Sequence, residues 1–132
     1  MRSDRPSMKP VPRLLVAEDD GPLREILQEG LESEGFAVVA ASDGAHALEL
    51  FDTTGPFDAL VLDHEMPHLT GRELLARLRA RGERVVTLLV SGTLELPEDE
   101  RARLGVGALL RKPVSIGEIA RALRQALAAA AP

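Results

Sequence analysis

Four short polar segments in this chain contain the residue types that phosphoryl and cation chemistry requires. In chain order they are Glu18-Asp19-Asp20, Asp63, Ser91-Gly92-Thr93 and Lys112-Pro113. Clustered carboxylates repel one another, so they either bind protons or hold a cation. Hard oxygen ligands without His or Cys suit Mg²⁺, which keeps open positions for water and phosphate. An ionised Asp beside such an ion can attack phosphorus, while a lysine and a hydroxyl stabilise phosphoryl oxygens.

Each of these segments follows a short apolar run, which is typical of a strand buried on both faces of a parallel sheet. The five runs are Leu14–Ala17, Ala37–Ala41, Ala59–Leu62, Val85–Val90 and Leu109–Leu110. Between them, apolar residues recur at helical spacing, as at Leu23, Ile26 and Leu27. Strands that alternate with helices indicate β–α units with right-handed crossovers. The sequence therefore predicts a single α/β domain, a doubly wound sheet of five parallel strands with five helices.

This fold would bring the polar segments together. Open α/β sheets bind their ligands beyond the carboxyl ends of the strands. The acidic residues after the first and third strands, Ser91 after the fourth and Lys112 after the fifth all stand at that edge. Asp20 is the exception, because Pro22 suits an early helical position and Asp20 then serves better as an N-cap than as a ligand.

Composition limits the classes of protein that need considering. The chain has 132 residues, which is about one domain, and no cysteine for disulfides or thiolate sites. Aromatic residues make up 2% and the net charge is −5, which disfavours nucleic-acid partners. No apolar run approaches a membrane span. We expect a cytoplasmic protein with no membrane partner. Its domain is expected over residues 13–128, after a flexible arm at 1–12 and before a short Ala/Pro tail at 129–132.

The polar segments and their flanking runs resemble the response-regulator receiver domain of two-component signalling. The matching stretches are LLVAEDD (14–20), DALVLDHEMP (58–67), Gly71, LVSG (89–92) and LRKP (110–113). The resemblance covers about residues 13–127. It implies a chemotaxis-regulator-like, flavodoxin-like fold with strand order 2-1-3-4-5. It also implies a domain that catalyses only its own aspartyl phosphorylation and dephosphorylation, and is not a conventional turnover enzyme.

The resemblance assigns a metal set and a phosphoacceptor. Asp63 would accept the phosphoryl group and also contact Mg²⁺. Asp19 would be a direct Mg²⁺ ligand, Glu18 would act through water, and the backbone carbonyl of Glu65 would be the third protein ligand. The expected partners are a sensor histidine kinase or a histidine phosphotransfer protein, and an unknown downstream protein. The domain itself is expected to be a monomer or a weak dimer.

The same resemblance gives roles to residues around the phosphoryl group. Ser91 would supply the hydroxyl that follows the phosphoryl group, and Lys112 would supply the cation. The Lys112–Pro113 peptide is expected to be cis, which X–Pro bonds allow at little cost. The side chains of Glu65 and Thr93 would stand at the rim, where they either tune autodephosphorylation or are merely solvated.

Two features depart from the family pattern. Leu109 stands where receivers usually have an aromatic residue that swings inward on activation. The fourth helix has little room, because Ser91 and Lys112 are 21 positions apart. Pro97 suits its first turn and Gly105 its stop, which leaves a short helix. We therefore expect the loop over Gly92–Leu96 to carry the activating change and to alter the surface around the fourth helix, fifth strand and fifth helix.

Two other functions compete with a phosphorylated receiver. A phosphate-independent receiver-like interaction module is favoured by Leu109 and the short fourth helix, and disfavoured by the intact Asp19, Asp63 and Lys112. An Mg²⁺-dependent phosphatase of haloacid-dehalogenase type would share an Asp nucleophile. Such enzymes carry Asp-x-Asp on the first strand, which Ala17-Glu18-Asp19-Asp20 does not provide.

Overall fold

The structure is a computed structural model that describes residues 11–131. The predicted arm over 1–12 therefore lies outside the described residues except for its last two. The strands are β1 Arg13–Ala17, β2 Ala37–Ala41, β3 Ala59–Asp63, β4 Val86–Ser91 and β5 Ala108–Arg111. The helices are α1 Gly21–Ser33, α2 Gly44–Thr54, α3 Gly71–Ala80, α4 Glu98–Leu104 and α5 Ile116–Ala130. The last helix thus continues two residues into the predicted tail.

The five strands form one parallel sheet in the order β2-β1-β3-β4-β5, as predicted. The register aligns the carboxyl ends of the central strands. Asp63 at the end of β3 pairs with Val90, and Ser91 at the end of β4 pairs with Arg111. Lys112 follows directly, so the polar residues after β1, β3, β4 and β5 share one edge of the sheet.

Alternate residues of the strands supply two apolar clusters, one on each face of the sheet. On one face, α2, α3 and α4 cover residues such as Leu15, Leu60 and Leu62. On the other, α1 and α5 cover residues such as Val16 and Val61. These strand residues are almost completely buried, which explains why the strands are continuous apolar runs.

The helix starts follow the expected capping chemistry. Asp20 accepts a hydrogen bond from the backbone N–H of Leu23, so it caps α1 as predicted. Thr70 and Ser115 begin α3 and α5 with reciprocal capping boxes. α4 has seven residues, as its limited room predicted, and it ends at Gly105 in the left-handed conformation (φ 64°).

One arginine secures the short fourth helix to the rest of the fold. The Arg79 guanidinium on α3 donates to the carbonyls of Leu104 at 2.6 Å and Gly105 at 3.1 Å, at the end of α4. It also donates to the carbonyls of Glu83 at 3.1 Å and Val85 at 3.0 Å, just before β4. These bonds fix α4 beside the strand whose end carries Ser91.

Candidate functional site

Asp63 is buried at the end of β3, with 4% of the residue exposed. Its Oδ1 atom lies 2.8 Å from Lys112 Nζ and also accepts a hydrogen bond from the backbone N–H of Glu65 at 3.1 Å. The first residue of α3 packs directly behind it, because a Cβ on Gly71 would stand 2.7 Å from the Asp63 carbonyl oxygen. The fold thus holds this carboxylate at a fixed place and gives it a cationic neighbour.

Three carboxylates form an acidic cluster at this edge. Ligand atoms of Glu18, Asp19 and Asp63 all lie within 4.8 Å of one another. Glu18 is 4% exposed and Asp19 is exposed to solvent, so the cluster opens on one side. Close carboxylate oxygens with an open side match the donors that Mg²⁺ prefers. These residues therefore fit the predicted metal. The backbone carbonyl of Glu65 as a further ligand stays a prediction.

Burial raises the pKa of Glu18 to about 7. A hydrogen bond from the backbone N–H of Asp20 acts in the opposite direction, and repulsion from Asp63 adds to the rise. The Arg24 side chain donates to the backbone carbonyl of Glu18 at 2.9 Å, a contact that was not predicted from the sequence. A divalent cation would supply the positive charge that the ionised cluster needs.

Ser91 is completely buried at the end of β4, and its Oγ atom is a junction of hydrogen bonds. It accepts from the backbone N–H groups of Thr93 at 3.1 Å and Leu94 at 2.8 Å. It donates to the Glu65 carboxylate. Ser91 therefore connects the site to the loop that leads into α4, and its role toward a phosphoryl group stays a prediction.

The Glu65 side chain forms hydrogen bonds across the site, whereas the sequence was also compatible with a merely solvated side chain at the rim. Its Oε1 accepts from the backbone N–H of Gly92 at 3.1 Å and lies 3.2 Å from Lys112 Nζ. Its Oε2 accepts from Ser91 Oγ and from Thr93 Oγ1 at 3.3 Å. Burial opposes ionisation, but these donors outweigh it and lower the pKa of Glu65 to about 2.

Lys112 is held between two carboxylates. Burial acts to lower its pKa, but hydrogen bonds and charge from Asp63 and Glu65 outweigh burial and raise it, so the ammonium form is secured. Its backbone N–H donates to the Ser91 carbonyl at 3.1 Å, which extends the β4–β5 pairing to the site. The Lys112–Pro113 peptide is cis, as predicted.

An apolar cavity of about 470 Å³ lies beside the site, between α1 and α5. Its wall includes Leu23, Leu27, Ile119 and Pro113, and it reaches Asp63 and Lys112. On α1, Leu23 and Ile26 are 37% and 58% exposed. The site is therefore bordered by an apolar surface on the α1 side.

The structure is thus a doubly wound α/β domain with an acidic cluster and a lysine at the carboxyl edge of its sheet, where such sheets bind their ligands. Residues 14–124 match the family model described as "Response regulator receiver domain". The chain therefore belongs to the response regulator receiver domain family of two-component systems. No helix among residues 11–131 is long and apolar enough to cross a membrane.

Similar proteins agree with this assignment. The chain is 38% identical over 117 residues to "Response regulator MprA" of Mycobacterium ulcerans, covering 87% of this chain and 50% of that protein. It is 37% identical over 103 residues to "Regulator of RpoS" of Escherichia coli, covering 77% of this chain and 30% of that protein. This chain thus spans half or less of the length of these two relatives. The receiver domain of Francisella response regulator 1452 superposes with a TM-score of 0.80 at 30% identity, covering 91% of this chain and 99% of that one.

Proposed function

We propose that this receiver accepts a phosphoryl group on Asp63 in an Mg²⁺-dependent step and thereby switches a partner-binding surface. The observation that supports this is the placement of the Asp63 carboxylate. It lies in the acidic cluster with Glu18 and Asp19, and 2.8 Å from Lys112 Nζ. An anionic nucleophile beside a cation site and a fixed ammonium group suits phosphoryl transfer.

In the phosphoryl transfer to Asp63, one bond forms and one bond breaks. An Asp63 carboxylate oxygen forms a bond to the phosphorus of a phosphohistidine, and the P–N bond breaks as the imidazole nitrogen takes back its electron pair. Hydrolysis would end the signal: a water oxygen attacks the phosphorus and the Asp63 O–P bond breaks. That hydrolysis returns the carboxylate and releases inorganic phosphate, so the domain would catalyse only its own modification.

The roles of the surrounding residues follow from their positions. Asp19 and Asp63 would hold Mg²⁺, with Glu18 acting through water. Mg²⁺, when bound, neutralises charge on the carboxylates and on the phosphoryl oxygens. Lys112, directly after β5, and Ser91, at the end of β4, would donate to phosphoryl oxygens through Nζ and Oγ.

Intact-mass measurement after incubation with acetyl phosphate tests the proposal. We expect the wild-type protein to gain one phosphoryl group in the presence of Mg²⁺ and none with EDTA. Asp63→Asn removes the nucleophile and should gain nothing, while Asp52→Asn, an exposed carboxylate paired with Arg81, serves as the matched control. A wild-type protein that stays unmodified with both acetyl phosphate and a phosphorylated protein donor would refute the proposal.

The protein donor would be a sensor histidine kinase or a histidine phosphotransfer protein in the cytoplasm, docked on α1 beside the site. The exposed apolar side chains of Leu23 and Ile26 on α1 support this placement, and Leu23 also lines the cavity that reaches Asp63. Ile26→Asp should slow labelling by a phosphorylated phosphotransfer protein and leave labelling by acetyl phosphate unchanged. Equal rates with the protein donor would place the docking surface elsewhere.

A receiver-like module that signals without phosphate is the second candidate. It is favoured by Leu109, which is half-buried and packs against the same cluster as Leu94. An aliphatic residue there provides no aromatic ring to swing inward when Ser91 engages a phosphoryl group. Unchanged affinity for a downstream partner after complete phosphorylation would favour this module over the phosphorylation-dependent switch.

A further inference from the structure

The Glu65 carboxylate contacts the same donors that a phosphoryl group on Asp63 would need. Glu65 receives hydrogen bonds from Ser91 Oγ and the Gly92 N–H, and lies 3.2 Å from Lys112 Nζ. A hydroxyl, a backbone N–H and an ammonium group together are the donors that stabilise an oxyanion. Two of them, Ser91 and Lys112, are the groups assigned above to phosphoryl oxygens.

The same lysine joins this carboxylate to the acceptor. Lys112 Nζ contacts Asp63 Oδ1 at 2.8 Å and Glu65 Oε1 at 3.2 Å, so the two carboxylates share one cation. A phosphoryl group on Asp63 would bring further negative charge to this place. Two anions that compete for the same donors also repel each other, so both cannot keep these bonds.

We propose that the Glu65 carboxylate is an internal substitute for the phosphoryl group. It holds Ser91 in contact with an oxyanion before any phosphorylation, and it leaves these donors when Asp63 is modified. The inference rests on the proposed function and deepens it, since it assigns a competing intramolecular ligand to the same site. The substitution Glu65→Ala removes this ligand but keeps the backbone carbonyl that is expected to bind Mg²⁺.

The contacts of Ser91 carry the effect to the loop before α4. Its Oγ atom accepts from the N–H groups of Thr93 and Leu94, and the Leu94 side chain packs against the core cluster under α3 and α4. Thr93 also donates to Glu65 directly, at 3.3 Å. The Glu65 carboxylate therefore orders residues 92–94 in the unphosphorylated protein, and its loss should loosen them.

Amide hydrogen exchange without Mg²⁺ or donor is the first test. We expect Glu65→Ala to raise exchange at Thr93 and Leu94 by about tenfold, the effect of losing one charge-assisted bond to Ser91. Glu65→Gln keeps an acceptor oxygen and should raise it less. Glu49→Ala, on an exposed position of α2, is the control. Unchanged exchange at both amides in Glu65→Ala would overturn the inference.

The initial rate of phosphorylation by acetyl phosphate with Mg²⁺ is the second test. Both Glu65→Ala and Glu65→Gln should be phosphorylated about fivefold faster than the wild type, because a nearby like charge no longer opposes the incoming phosphoryl group. Rates equal to or below the wild-type rate would overturn the competition. If the wild type itself is never phosphorylated, the proposed function fails, and the exchange measurement alone decides whether Glu65 orders the loop.

Discussion

Burial of Glu18 opposes ionisation of its carboxyl group, and this makes the stability of the metal-free protein depend on pH. Its pKa rises from 4.5 in the unfolded chain to about 7 in the folded protein. Between these values the folded state binds more protons, so the free energy of unfolding falls as pH rises through this window. We expect a loss of at most about 3 kcal/mol between pH 4.5 and 7.5.

Urea denaturation in EDTA at several pH values measures this loss. Glu18→Gln is neutral throughout, so its free energy of unfolding should vary less with pH than that of the wild type. The difference between the two curves removes the contribution of other titrating groups. Parallel curves would mean that Glu18 is already ionised in the metal-free folded protein.

The residues at strand ends could be predicted from the sequence, whereas the contacts of Glu65 could not. Asp63, Ser91 and Lys112 each follow an apolar run, and a parallel sheet necessarily gathers such residues at one edge. The Glu65 side chain bonds to residues 26–28 positions away, and its direction depends on the turn after β3. The available signal was an acidic residue two positions after the acceptor, together with one hydroxyl residue at the end of β4 and another two positions later.

At the scale of elements, Gly71 shows how a helix start fixes the position of the acceptor. A Cβ at this first residue of α3 would lie 2.7 Å from the Asp63 carbonyl oxygen and 3.0 Å from the His64 Cα. Gly71→Ala should lower the free energy of unfolding by at least about 1 kcal/mol, because backbone atoms must shift. It should also slow phosphorylation of Asp63, since the displaced segment carries the acceptor.

Gly21→Ala is a matched control for this prediction, because Gly21 is likewise the first residue of its helix, α1. The nearest atom to its added Cβ is the end of the Arg24 side chain at 3.7 Å, which is ordinary contact. This variant should be neutral or stabilised by up to about 1 kcal/mol. Chemical denaturation and initial labelling rates compare the two variants. Equal effects would show that the close packing behind Asp63 is easily relieved.

The elements themselves were largely predictable, and the reason is local. The predicted strands match the observed ones to within one residue at each end, because strands with two buried faces require continuous apolar runs. The short α4 followed from Pro97 and Gly105. The Arg79 bonds that hold α4 were not predictable, because the carbonyls of Leu104 and Gly105 lie 25 and 26 positions away in the chain.

For the whole molecule, the central strands couple the two helical layers. In β3, Leu60 and Leu62 point into the cluster under α2, α3 and α4, while Ala59 and Val61 point into the cluster under α1 and α5. Loss of either layer would expose one face of strands whose other face is still covered. Exposing such apolar surface to water is unfavourable, so we expect both layers to unfold in one cooperative transition.

Truncation of one buried leucine on each side of the sheet tests this cooperativity. Leu75 on α3 and Leu123 on α5 are both 0% exposed, in different clusters. Leu75→Ala and Leu123→Ala should each lower the free energy of unfolding by about 3 kcal/mol. Gln125→Ala, an exposed change on α5, should alter it by less than about 0.5 kcal/mol.

Because the denaturant slope reports the surface exposed on unfolding, all variants should keep the wild-type slope. A smaller slope, or two transitions, in only one leucine variant would mean that its layer separates before the sheet unfolds.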